Sequence, residues 1–159
     1  MKRFIRAGVL AAWAALVASG PVLAQDKVVR VPNEDKEMAG AIAKARQSLP
    51  EYWKSCEKPA APNMSCALKV MIRAGGQVEH FWLVNVERKG GGYAGTINND
   101  PNLVKTVKAG QRYEFKEADV TDWMFMRNGK IVGNETMRPL LKRMPADQAA
   151  RYRQMLEKP

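Results

Sequence analysis

Cys66-Ala67-Leu68-Lys69-Val70-Met71-Ile72-Arg73, closed by Gly75-Gly76, is the stretch that decides the fold. Cys66, Leu68, Val70 and Ile72 alternate with Ala67, Lys69, Met71 and Arg73. That period of two is the mark of a strand with one buried face, and the glycine pair ends it. Working toward the C-terminus, Val78 to Glu87 reads as a second strand. Gly90-Gly91-Gly92 turns into a third, Tyr93 to Asn98, and Asn99-Asp100-Pro101 supplies the next turn. Gln111 to Lys116 carries Tyr113 and Phe115 on one face, Asp122 to Arg127 follows, and Asn128-Gly129 is a hairpin signal into Lys130 to Val132.

Helical spacing frames this strand region. Upstream, Met38, Ala41, Ile42, Ala45 and Leu49 form one apolar stripe, predicting a helix over Asn33 to Leu49 with Asn33 as its cap. Pro50 breaks that helix or opens a short second one bearing Tyr52 and Trp53, and Lys58 to Ser65 reads as a loop. Downstream, Met137, Leu140, Leu141 and Met144 share a face, and Pro145 opens a last helix with Ala149, Tyr152 and Leu156 aligned. The expected class is α+β. A small, strongly curved antiparallel sheet or barrel-like roll of five to six strands would carry an N-terminal helix and two C-terminal helices, packed on one side.

The first residues are of a different kind. Lys2, Arg3 and Arg6 precede the apolar run Ala7 to Gly20, and Val22-Leu23-Ala24 has the small residues that signal peptidase accepts. Residues 1–24 are expected to be a cleavable signal peptide, with residues 25–159 a single domain in the periplasm or secreted. The apolar run is shorter than the roughly 20 residues a stable membrane helix needs. No transmembrane segment is expected after cleavage. In an oxidising compartment Cys56 and Cys66 are expected to pair as a structural disulfide. A single histidine argues against a zinc cage, and no phosphate loop, paired-carboxylate motif or cofactor motif occurs.

The chain has 26 basic and 16 acidic residues, and the basic surplus concentrates in Arg127 to Pro159. Such a surface favours anionic partners. For an exported protein an acidic protein, a cell-wall polymer or an anionic lipid surface comes before nucleic acid, which is not expected. Arg151 and Arg153 stand out in this part, and Arg138 can hold a carboxylate or phosphate.

His80 is the one residue with acid–base chemistry near neutrality. It alternates with Val78, Trp82, Val84 and Val86, so it is expected on the core face. There it is either a core histidine satisfied by one hydrogen bond or a pocket base oriented by Asp122 or Asp119. The second reading makes the protein a cell-envelope hydrolase using His80 and Asp122, but no nucleophile motif accompanies them. Asp122-Trp123-Met124-Phe125-Met126 places large apolar groups on both faces of its strand. It is either core on both sides or, where uncovered, an aromatic and methionine-rich binding patch. The expected function is non-catalytic binding, with Trp82, Asn99, Asp122, Trp123, Asn134, Arg138, Arg151 and Arg153 as the candidate surface.

Glu79-His80-Phe81-Trp82, Asn99-Asp100-Pro101, Asp122-Trp123-Met124 and Gly133-Asn134 with Thr136, Arg138, Leu140 and Leu141 together resemble the YegJ-like family of bacterial proteins. The family is a domain of unknown function, and the resemblance runs from about Glu37 to Leu156. It implies a bacterial, exported, β-rich single domain and supplies no catalytic residues. A likeness to small proteins encoded beside toxins suggests an immunity or interaction role by analogy.

Overall fold

The structure is a computed structural model and describes residues 35–58 and 65–158. The leader, its cleavage point after Ala24, the Asn33 cap and the Pro59 and Pro62 loop lie outside the described residues. Six antiparallel strands form one sheet: β1 (Cys66–Ala74), β2 (Gln77–Lys89), β3 (Gly92–Ile97), β4 (Arg112–Phe115), β5 (Val120–Arg127) and β6 (Lys130–Gly133). Their order is β4-β3-β2-β1-β5-β6. Every strand read from the alternation is present. Of the two forms expected, the sheet takes the open one, with no β4–β6 pairing among the described residues.

One face is covered by α1 (Lys36–Gln47) and α2 (Leu49–Cys56). The cap of α1 is Asp35, whose carboxylate accepts the Met38 N–H at 3.0 Å, and the helix starts at Lys36 rather than near Asn33. Asp35 puts a full negative charge where the first-turn N–H groups are unpaired. Pro50 sits in the first turn of α2, where its missing N–H costs nothing. Beneath these helices lie Leu68, Val70, Phe81, Leu83, Trp123 and Phe125, all at 1% exposure or less. Trp123 locks the layers by donating its indole N–H to the Ala45 carbonyl at 2.9 Å. Arg46 adds guanidinium hydrogen bonds to the Val120 and Ala118 carbonyls. The Cys56–Cys66 disulfide, with Cα atoms 6.0 Å apart, ties the end of α2 to the start of β1, as expected.

A second, smaller core lies at the β6 end. Met137 and Leu141, from α3 (Met137–Leu140) and the residue after it, pack with Ala149 of α4 (Ala146–Met155) and with Leu156. Leu156 then bridges to Ile131 in parallel, and the Glu157 N–H donates to the Ile131 carbonyl at 2.8 Å, covering the outer edge of β6. A covered edge cannot template pairing with another chain. None of the described helices is long and apolar enough to cross a membrane.

Candidate functional site

The burial of β2 reverses the expected faces. Glu79, Phe81 and Leu83 point into the core, whereas His80 is exposed and Trp82 and Val84 are only half-buried. Counting valines put the core on the His80 face, but Phe81 and Leu83 bury more apolar surface, and Glu79 has a special reason to be inside. Its carboxylate accepts the N–H groups of Asn102 (2.8 and 3.1 Å), Leu103 (2.8 Å) and Val104 (2.9 Å). A buried carboxylate is tolerated where such donors replace its water. Asn99 works in the opposite direction across the same junction, its side-chain oxygen accepting the Trp82 N–H at 2.8 Å. The segment after Asn99-Asp100-Pro101 is thus clamped to β2 at two points.

Asp122 clamps the other end of the sheet. It is fully buried and accepts from the N–H groups of Trp123 (2.8 Å), Glu135 (3.1 Å) and Thr136 (2.8 Å) and from the Thr136 hydroxyl. Burial pushes its carboxyl above the usual range, against the pull of Lys69 and of these hydrogen bonds. Gly133 makes the turn possible. At φ +77°, a Cβ there would lie 2.5 Å from the Trp123 carbonyl oxygen and 2.6 Å from its ring. Asp122 has no bond to His80, so the expected His80–Asp122 pairing is not formed. The carboxylate is spent on the β6–α3 turn, and the base-and-orienter reading loses its geometry.

His80 instead has Thr121 as its partner, Nδ1 to Oγ1 at 3.0 Å. Its cross-strand neighbour is Met71, and Lys69 pairs across with Trp82 on one side and Asp122 on the other. These residues share the sheet face away from α1 and α2. The Lys69 ammonium lies 4.6 Å above the Trp82 ring and donates to the Thr136 hydroxyl at 3.0 Å. Arg73 and Val78 continue the face outward, and Val78 is 44% exposed. Desolvation lowers the His80 pKa to about 4, and the charges of Lys69 and Arg73 act in the same direction. The imidazole is therefore neutral near neutrality although its residue remains exposed.

The other candidates fall into two groups. Trp123 is core, Asn134 is buried with its N–H donated to the Trp123 carbonyl, and Arg138 is held by Glu135 and the Glu157 carbonyl. Trp123 and Asn134 are withdrawn from the surface, whereas Arg138 is half-buried with its guanidinium engaged within the fold. Arg151 and Arg153 are exposed on α4. Met124 is half-buried and Met126 is 39% exposed, so the second face of β5 is only partly core. Lys69, Met71, Arg73 and Thr121 were not singled out from the sequence, because alternation assigns them to a face without saying what else shares it. Among the described residues no cluster of three or more His, Cys, Asp or Glu could hold a metal. A cavity of about 290 Å³ lined by Arg46, Leu49, Glu117 and Ala118 contains none of the candidates, and Arg46 there is committed to backbone carbonyls.

Comparison with known proteins agrees with the family resemblance. Uncharacterized protein YegJ of Escherichia coli (strain K12) is 35% identical over 131 residues, covering 82% of this chain and 84% of the relative. A putative ankyrin repeat protein of Neisseria meningitidis serogroup B is 22% identical over 130 residues, 77% of this chain but 51% of that longer protein. No solved structure matches. Residues 35–157 match the model of a family described as "Uncharacterized protein conserved in bacteria (DUF2314)", and with the YegJ likeness over most of its length the chain belongs to that family.

Proposed function

We propose that this is an exported protein of the bacterial periplasm or exterior that acts as a non-catalytic binding module, immunity-like in recognising another protein with an acidic surface. The basic leader with Val22-Leu23-Ala24 supports export, and the Cys56–Cys66 bridge suits an oxidising compartment. One observation carries the binding reading: the sheet face opposite α1 and α2 sets half-buried Met71 and Trp82 and exposed Val78 among Lys69, Arg73 and His80. Apolar anchors flanked by the cations Lys69 and Arg73, with a neutral His80 between them, suit an acidic partner. A hydrolase reading has less support, since Asp122 serves the turn and His80 has only a threonine beside it.

The test is affinity capture from periplasmic extract with the tagged mature chain, run beside an Arg73→Glu/Val78→Asp variant. The expected result is an acidic protein retained by the wild type, released as salt rises, and absent from the variant. A partner held equally by both, or recovery of the uncleaved chain from membranes, overturns the proposal.

A further inference from the structure

The hydroxyl of Thr121 lies between two groups. It donates to the Lys69 carbonyl at 3.3 Å and lies 3.0 Å from His80 Nδ1. A hydroxyl has one proton. With that proton on the carbonyl, the Thr121 oxygen can only accept from His80, so Nδ1 carries the hydrogen. Nε2 is left as a bare acceptor with no partner among the described residues, on an exposed side chain. Lys69 and Arg73 act on the same ring. Lys69 is anchored by Thr136 and the Trp82 ring, whereas exposed Arg73 has no partner among the described residues.

Resting on the binding reading above, we propose that the Lys69–Thr121–His80 chain fixes His80 as an outward hydrogen-bond acceptor, so that this face takes an acidic segment of a partner protein presenting a hydroxyl or N–H donor beside a carboxylate. The donor meets Nε2, the carboxylate meets Arg73, and an adjoining apolar side chain rests on Val78 and Met71. An acceptor flanked by cations rejects a segment that is merely acidic, because Nε2 is then left facing an oxygen. Such an unmade hydrogen bond discriminates more strongly than extra apolar contact does. A chain of Asp and Glu alone is therefore a poor occupant, and one interleaving Ser or Tyr with Asp a good one.

The sole histidine makes the test direct. Long-range ¹H–¹⁵N spectra of the full mature chain should show the Nδ1–H tautomer, and Thr121→Val should shift the population toward Nε2–H. Two synthetic peptides, one alternating Asp with Ser and one of Asp alone, then serve as probes, with anionic phosphatidylglycerol vesicles as a third. The Asp/Ser peptide should bind at least about tenfold more tightly than the Asp peptide, the fold that one hydrogen bond of about 1.4 kcal/mol supplies. His80→Phe should erase that difference while leaving the weak charge-driven binding. An Nε2–H tautomer in the wild type, equal binding of the two peptides, or stronger binding of vesicles than of either peptide overturns this inference. The first two outcomes leave the binding reading standing, whereas loss of every partner-dependent signal on the face sinks both.

Discussion

Replacing Asp122 by Asn changes one atom and tests whether this carboxylate is structural. One oxygen of Asp122 accepts from Trp123 N and Glu135 N, the other from Thr136 N and the Thr136 hydroxyl. The amide keeps most by turning its NH₂ toward Thr136, whose hydroxyl can reverse and accept from it, so the Thr136 N–H contact is lost and the other three are kept to a neutral group. Hydrogen bonds to a charged acceptor contribute about 1.5–3 kcal/mol each and to a neutral one about 1 kcal/mol less, so losing one and weakening three gives a gross loss of about 4.5–6 kcal/mol. Removing a buried charge returns part of this, because burial already holds the Asp122 carboxyl above its usual range. A net loss of about 3 kcal/mol is expected. In urea, with a slope near 2 kcal/mol/M for a domain of this size, the midpoint should fall by about 1.5 M. A midpoint within about 0.3 M of wild type, which is about 0.6 kcal/mol at that slope, would refute the clamp and reopen a functional role for Asp122.

Glu79→Gln should cost about 2 kcal/mol by the same reasoning and should speed amide hydrogen exchange at Asn102, Leu103 and Val104 ahead of the rest of the chain. Cys56→Ala opens a bridge of sequence separation 10. It should lower stability by a little under the ~3 kcal/mol of a 15-residue loop, read as a fall in Tm without loss of folding. The depressed His80 pKa means the unfolded chain binds the extra proton first, so its contribution is complete above about pH 6.5 and fades as pH falls toward about 4. A His80→Gln variant should lose less stability than wild type across that window, as followed by urea midpoints at each pH.

The backbone was far more legible than the site, for physical reasons. Alternation in β1 and the glycine and Asn128-Gly129 turns give each strand its place, since period and turn chemistry are local properties. The pairing of Cys56 with Cys66 was equally local. Which face of β2 is buried is not local. It depends on the Asn102 to Val104 amides arriving from a distant loop to solvate Glu79, and nothing within β2 records that. Asp122 was misread for the same reason, since its ligands come from Glu135 and Thr136. The motif pairs are legible in hindsight as a carboxylate or amide on one segment answering N–H groups on the other. Trp123 shows the converse error: a large aromatic reads as an anchor for a partner until α1 is seen to supply the Ala45 carbonyl.

The most direct test of the account is a calorimetric titration of the captured acidic partner against three folded proteins: wild type, Arg73→Glu/Val78→Asp, and Arg151→Glu/Arg153→Glu. Both altered pairs lie at exposed positions, so all three should melt alike. The open-face variant should lose binding by at least about 100-fold, which is about 2.7 kcal/mol, while the α4 variant changes mainly the salt dependence. Full affinity in the open-face variant together with loss in the α4 variant would contradict the account and move the binding surface to the C-terminal helix.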